Sequence, residues 1–67
     1  MTAHDIIATI IAWHKDASPE QVSELIESRA MVRDLPFIRE QLAEHVSLNE
    51  QNAADWALQV IDRALAA

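Results

Sequence analysis

Three histidines, at positions 4, 14 and 45, and eleven acidic side chains are the residues from which a metal centre or a proton-transfer site would have to be built. Glu40, Glu44 and His45 come nearest to a ligand cluster. Neighbours on a helix project about 100° apart, so Glu44 and His45 do not converge on one ion without help from another helix. Neither the Glu-x-x-His pairs of di-iron bundles nor the His-Glu-x-x-His motif occurs. The cluster therefore reads as a solvated acidic strip with a histidine at its edge.

Nucleophiles fare no better. Ser18 and Ser47 stand where helix caps are wanted, and Ser23 and Ser28 have no base within a helical turn, so no nucleophile, base and orienting group assemble. Cysteine is absent, which removes thiolate chemistry and disulfides. Glycine is absent too, and phosphate-cradling loops of the P-loop or Rossmann kind need it at several positions. An enzyme is not expected, and no cofactor, metal or small-molecule substrate is inferred.

The net charge of −6 opposes tight binding to a phosphate backbone, which draws on clustered Lys and Arg. It opposes docking on an anionic bilayer equally. No stretch approaches the 18 or so apolar residues that span a membrane, and residues 6–13 lack the flanks of a secretory signal. A soluble, cytoplasmic protein is expected.

The elements that would have to position any site are helices. A chain of 67 residues is one domain, residues 1–67, and a domain this small buries only about 60% of its unfolded surface. Ala, Leu, Glu and Gln abound, and all are strong helix formers. Thr2 with Asp5, Ser18 with Gln21, and Ser47 with Glu50 each fit a capping box; Pro19 fits a first helical position. Asp34-Leu35-Pro36 breaks the chain, because a residue before proline is driven out of the α region. The reading is all-α, a compact bundle of four short helices at about 3–15, 19–32, 36–46 and 50–66.

The first helix projects Trp13, Ile6, Ile10, Ala3, His14, Ile7 and Ile11 over an arc of roughly 160°. On the fourth, apolar residues from Ala53 to Leu65 sweep about 200°. The second and third carry narrower stripes: Val22, Leu25, Ile26 and Ala30 on one, and Ile38, Leu42 and Val46 on the other. The outer helices therefore own more apolar surface than one small core consumes, and part of it should meet another chain. His14, close to the end of the first helix, is expected to offset the negative end of its dipole.

Within "RAMVRDLPF", residues 29–37, Arg29 and Arg33 continue the face begun by Val22 and Ile26 if the helix runs to residue 32, and Met31 points the other way. Either their stems pack at the protein's edge or their heads await an acidic group on another chain. Met31, Val32, Leu35 and Phe37 make this connection unusually apolar: it tucks into the bundle or forms a docking patch. Trp and Arg are enriched among interface anchors. Trp13, Arg29, Met31, Arg33, Phe37 and Trp56 are accordingly the candidate partner-binding residues.

Residues 38–63 resemble a helix-turn-helix, with Ala43 at its small position, Leu48 after the turn, and Ala53 and Trp56 at buried positions; Ser47 replaces the usual turn glycine. As a reader of DNA, the pair would expose Asn49, Gln51, Asn52, Asp55 and Gln59. Two arginines against five acids from residue 35 onward lack the basic patch such a face carries. Glu20, Glu24 and Glu27 share one face of the second helix and give a further alternative, an acidic inhibitor or DNA mimic that binds a basic protein. The favoured expectation is a non-enzymatic protein-interaction module, a homodimer or a small subunit of a larger complex.

Overall fold

Thr2 opens the first helix as expected: its hydroxyl accepts from the Asp5 N–H and the Asp5 carboxylate accepts from the Thr2 N–H. Ser18 and Gln21 repeat the device at the second, with Pro19 in its first turn. In a computed structural model describing residues 1–67, these boxes begin α1 (Ala3–Trp13) and α2 (Pro19–Arg29). A 3₁₀ turn at Val32–Asp34 leads into α3 (Leu35–Ala43), and α4 (Ala53–Ala66) completes an all-α bundle.

Five boundaries differ from the sequence reading: α1 ends at Trp13 rather than 15 and α3 at Ala43 rather than 46, and three further differences have a local cause. Helix α2 stops at Arg29, because Ala30 and Met31 are extended, with φ/ψ of −80/136° and −85/142°. Leu35 is itself helical at −57/−44°, so Pro36 sits inside the first turn of α3, where its missing N–H costs no hydrogen bond. Ser47 does not start the fourth helix; its hydroxyl accepts from the N–H groups of Asn49 and Glu50 in a local turn. Asn52 is the cap, accepting from Ala54 and Asp55 at 3.0 and 3.2 Å, with the Asp55 carboxylate answering the Asn52 N–H.

Helices α1 and α4 each pack against the other three elements of the bundle. The core they share is Ile6, Ile7 and Ile10 from α1, Val22 and Ile26 from α2, Leu35, Ile38 and Leu42 from α3, and the Ala53, Ala54, Ala57, Val60, Ile61 face of α4. Small alanines at the head of α4 let its neighbours approach closely. The Cα radius of gyration of 10.5 Å is close to the ~11 Å of a compact domain of this length. No helix is long and apolar enough to cross a membrane.

This packing corrects the expected surplus on the outer helices. A wide arc serves one helix among several neighbours, and α1 and α4 have three each, so their isoleucines are consumed internally. Trp13, Ile11, Trp56 and Leu58 are partly buried against the same core. Leu65, in the last turn of α4, is the large apolar residue these two helices leave exposed; Met31, Val32, Phe37 and Leu48 lie outside them.

Candidate functional site

The stretch from α2 to α3 is short, and its course is set by two fixed points. Ile26 and Leu35 are both buried, and the chain between them must leave one helix and enter the next. Ala30 remains half-buried while Met31 and Val32 turn outward, Val32 to 78% exposure. Two large apolar side chains in succession on the surface of so small a protein form a patch of the kind that marks interaction sites.

Beside Val32 lies a groove of about 390 Å³. Ile26 and Ala30 of α2, Val32 and Leu35 of the connection, and Val60 and Ala64 of α4 make its floor and walls; Glu27 and Arg63 stand at its edge. The groove thus runs between the C-terminal ends of α2 and α4.

Charge is distributed unevenly around it. Arg29 precedes the lining residue Ala30, Arg33 follows Val32, and Arg63 is part of the rim; all three are exposed. Elsewhere cations are matched: Lys15 pairs with Glu50, and Arg39 with Asp62 at 2.5 Å. Arg29 and Arg63 have no carboxylate within ion-pair distance, and Arg33 has only a loose 3.8 Å contact with Asp34. This corner therefore holds three cations against Glu27 and Asp34, while the rest of the chain holds two cations against nine acids.

The opposite end of the bundle is built differently. His14, His45 and Asn52, with Ile10, Ile11 and Ala54, surround a small cleft of about 120 Å³. Asn52 is 3% exposed and fully employed, its Nδ2 donating to the His45 carbonyl at 3.1 Å while Oδ1 caps α4. His14 is not on the apolar arc; it is the exposed C-cap of α1, and its role there is carried by its backbone. No group of three or more His, Asp or Glu converges on a point. The Ser23 hydroxyl faces Glu27 at 3.3 Å, and the Ser28 hydroxyl donates to the Glu24 carbonyl at 2.6 Å.

Perturbed acids sit at caps and ion pairs rather than in a cleft. Backbone and side-chain hydrogen bonds from Thr2 hold Asp5 below the usual carboxylate range. Lys15 does the same for Glu50, by hydrogen bond and then by charge, and the Arg39 hydrogen bond does so for Asp62.

Of the six candidate partner residues, Arg29, Met31 and Arg33 are brought together in the α2–α3 connection. Both arginines point to solvent rather than toward the core, because α2 ends before the helical projection can carry them inward. Phe37, one turn farther, is 39% exposed and packs edge-on against His4 at the start of α1, with ring centroids 5.5 Å apart. Trp13 and Trp56 belong to the far end, where the Trp56 indole N–H donates to Gln51 Oε1 at 3.3 Å. Arg63, Val60 and Ala64 were not legible as part of a site, since only the fold places them beside residue 32. Comparison with protein-family models, with curated proteins and with solved structures found no match.

Proposed function

We propose that this chain is a non-enzymatic protein-interaction module, and that it meets its partner through the corner formed by the ends of α2 and α4 and the connection at 30–34. One observation carries the reading: Met31 and Val32 stand exposed in succession, and Val32 is itself part of the lining of an apolar groove. A side chain such as Val32 gains about 1.5–3 kcal/mol when removed from water. Contact with a partner at this groove would recover that energy.

Two other readings have less to support them. A helix-turn-helix joins its helices by three or four residues, whereas α3 and α4 are separated by residues 44–52. An acidic inhibitor would use Glu20, Glu24 and Glu27, which do line one polar depression on α2, but Arg63 lies in the same depression and interrupts the acidic strip.

The test is site-specific photocross-linking in cells that express the protein, with the cross-linker at position 32 and, as a control, at the exposed position 44. Discrete adducts from position 32 that are missing from position 44 are expected. Adducts of equal yield from both positions, or none from either, would overturn the reading.

A further inference from the structure

We infer that the groove between the ends of α2 and α4 receives an acidic amphipathic helix of another protein, a conclusion that rests on the interaction-module reading and names its partner's chemistry.

The shape of the groove excludes the other common peptide modes. Strand addition needs an exposed sheet edge, and this bundle offers none; proline-rich ligands need an aromatic-lined groove. Here the floor is aliphatic, from Ile26, Ala30, Val32, Leu35, Val60 and Ala64. A groove of about 390 Å³, open along its length and walled by two helix ends, accepts a few aliphatic side chains from one face of a third helix. Such anchors recur at i, i+3 or i+4, and i+7.

Charge selects which amphipathic helix enters. The molecule as a whole repels acidic partners, but of its three incompletely paired arginines Arg63 lines this groove and Arg29 and Arg33 are the sequence neighbours of its lining residues Ala30 and Val32. The guanidinium of Arg33, with its side chain 76% exposed, is free to form a two-pronged contact with a carboxylate. The Arg29 and Arg63 side chains also offset the C-terminal dipoles of α2 and α4, so the carbonyl ends of these helices do not confront the incoming acids bare. The remaining acidic surface then acts at longer range, disfavouring any docking pose that lies away from the arginines.

A second copy of the chain lacks the required element. The apolar faces of α1, α2 and α4 are turned into the core, and the acidic outer face of α2 carries no apolar stripe to insert. Two copies could meet only patch to patch, Val32 on Val32, bringing like-charged arginines together.

The experiment titrates the full chain into a fluorescein-labelled synthetic peptide of about 14 residues, with leucines at i, i+3, i+4 and i+7 and glutamates on the flanks. Its twin carries lysine in place of glutamate. Anisotropy should show saturable binding of the acidic peptide, weakened about tenfold by Val32→Asp, severalfold by Arg33→Glu, and by added salt. Val32 and Arg33 are exposed, so both variants should keep the helical circular-dichroism signal of the parent. No binding of the acidic peptide, binding that Val32→Asp leaves unchanged, or a larger Val32→Asp loss for the lysine twin would overturn the inference. If the acidic peptide does not bind but position 32 still yields adducts, the module reading stands and the acidic helix falls. An adduct of twice the chain's mass would assign the groove to a second copy instead.

Discussion

The N–H of Ala53 donates to the carbonyl oxygen of His14 at 2.8 Å, so the last turn of α1 and the first turn of α4 close on one another. Ala53 is the first residue of its helix and would otherwise leave that donor without an intrahelical partner. The bond is made possible by an unusual backbone: His14 has φ 46° and ψ −105°, and the Asp16 N–H returns to the Trp13 carbonyl at 2.6 Å. This is the geometry of the first central position of a type II′ turn, where glycine is preferred. The chain has no glycine, and His14 holds the conformation against the steric cost of its Cβ.

Replacing His14 with glycine should therefore stabilise the protein. Relief of a disfavoured backbone region is worth about 1–3 kcal/mol, and the added chain entropy of glycine takes back about 0.5–1 kcal/mol. A net gain of about 1 kcal/mol is expected. His14→Val, β-branched at a positive φ, should move stability the other way. Urea unfolding followed by circular dichroism checks both, with the midpoint shifting at constant slope.

Asn52 joins the same junction from the other side. Its Oδ1 accepts from two backbone N–H groups and its Nδ2 donates to His45, all at 3% exposure. Asn52→Ala removes the cap and leaves two backbone donors and the part-buried His45 carbonyl without this partner, and should cost about 1–3 kcal/mol. Asn52→Asp keeps the acceptor and loses only the donor, so its loss should be smaller. The ordering of the two variants in a thermal melt tests the assignment.

That junction also explains which features were legible in the sequence. The boxes at Thr2 and Ser18 are decided within four residues, and reading them locally gave the starts of α1 and α2. The start of α4 was misplaced, because the local pattern of Ser47 with Glu50 is also met five residues later by Asn52 with Asp55. Only tertiary packing chooses Asn52, whose side chain reaches back to the residue that ends the preceding turn. The end of α2 was hidden for a related reason. Ala30, Met31 and Val32 suit a helix by type, yet the chain must leave it at Ala30 to carry Leu35 into the core. Extending the helix to residue 32 turned Arg29 and Arg33 inward on paper. The number of neighbours around α1 and α4 is likewise a property of the assembled bundle, so wide apolar arcs alone could not distinguish a central helix from an unpartnered one.

Core and surface substitutions should separate sharply. Ile61 is completely buried among residues of the shared core, and Ile61→Ala should cost about 2–5 kcal/mol. For so small a domain, that is much of the total stability. Arg39→Met breaks the ion pair to Asp62, two solvent-exposed groups whose attraction water and salt already screen, and should leave the urea midpoint nearly unchanged. A large loss in the second variant would show that the pair locks α3 to α4.

Acid should destabilise the fold, with a sign that follows from three carboxylates. The pKa values of Asp5, Glu50 and Asp62 are lowered in the folded state relative to ordinary values of 3.8, 4.5 and 3.8. Through that window the unfolded chain binds more protons, so stability rises with pH. The contribution is complete above the ordinary values and is lost as pH falls through the folded ones. The self-repulsion of a −6 chain eases over the same range and acts in the opposite direction, but it is long-ranged and salt removes most of it. In moderate salt the urea midpoint should be flat from about pH 8 to 6 and decline below about pH 4.5. Salt also weakens the Lys15–Glu50 and Arg39–Asp62 pairs, whereas Asp5 depends first on the Thr2 backbone N–H, a short-range bond that salt screens little. Asp5→Asn should therefore remove most of the acid-sensitive decline that survives high salt, and Glu50→Gln with Asp62→Asn should remove most of what salt takes away.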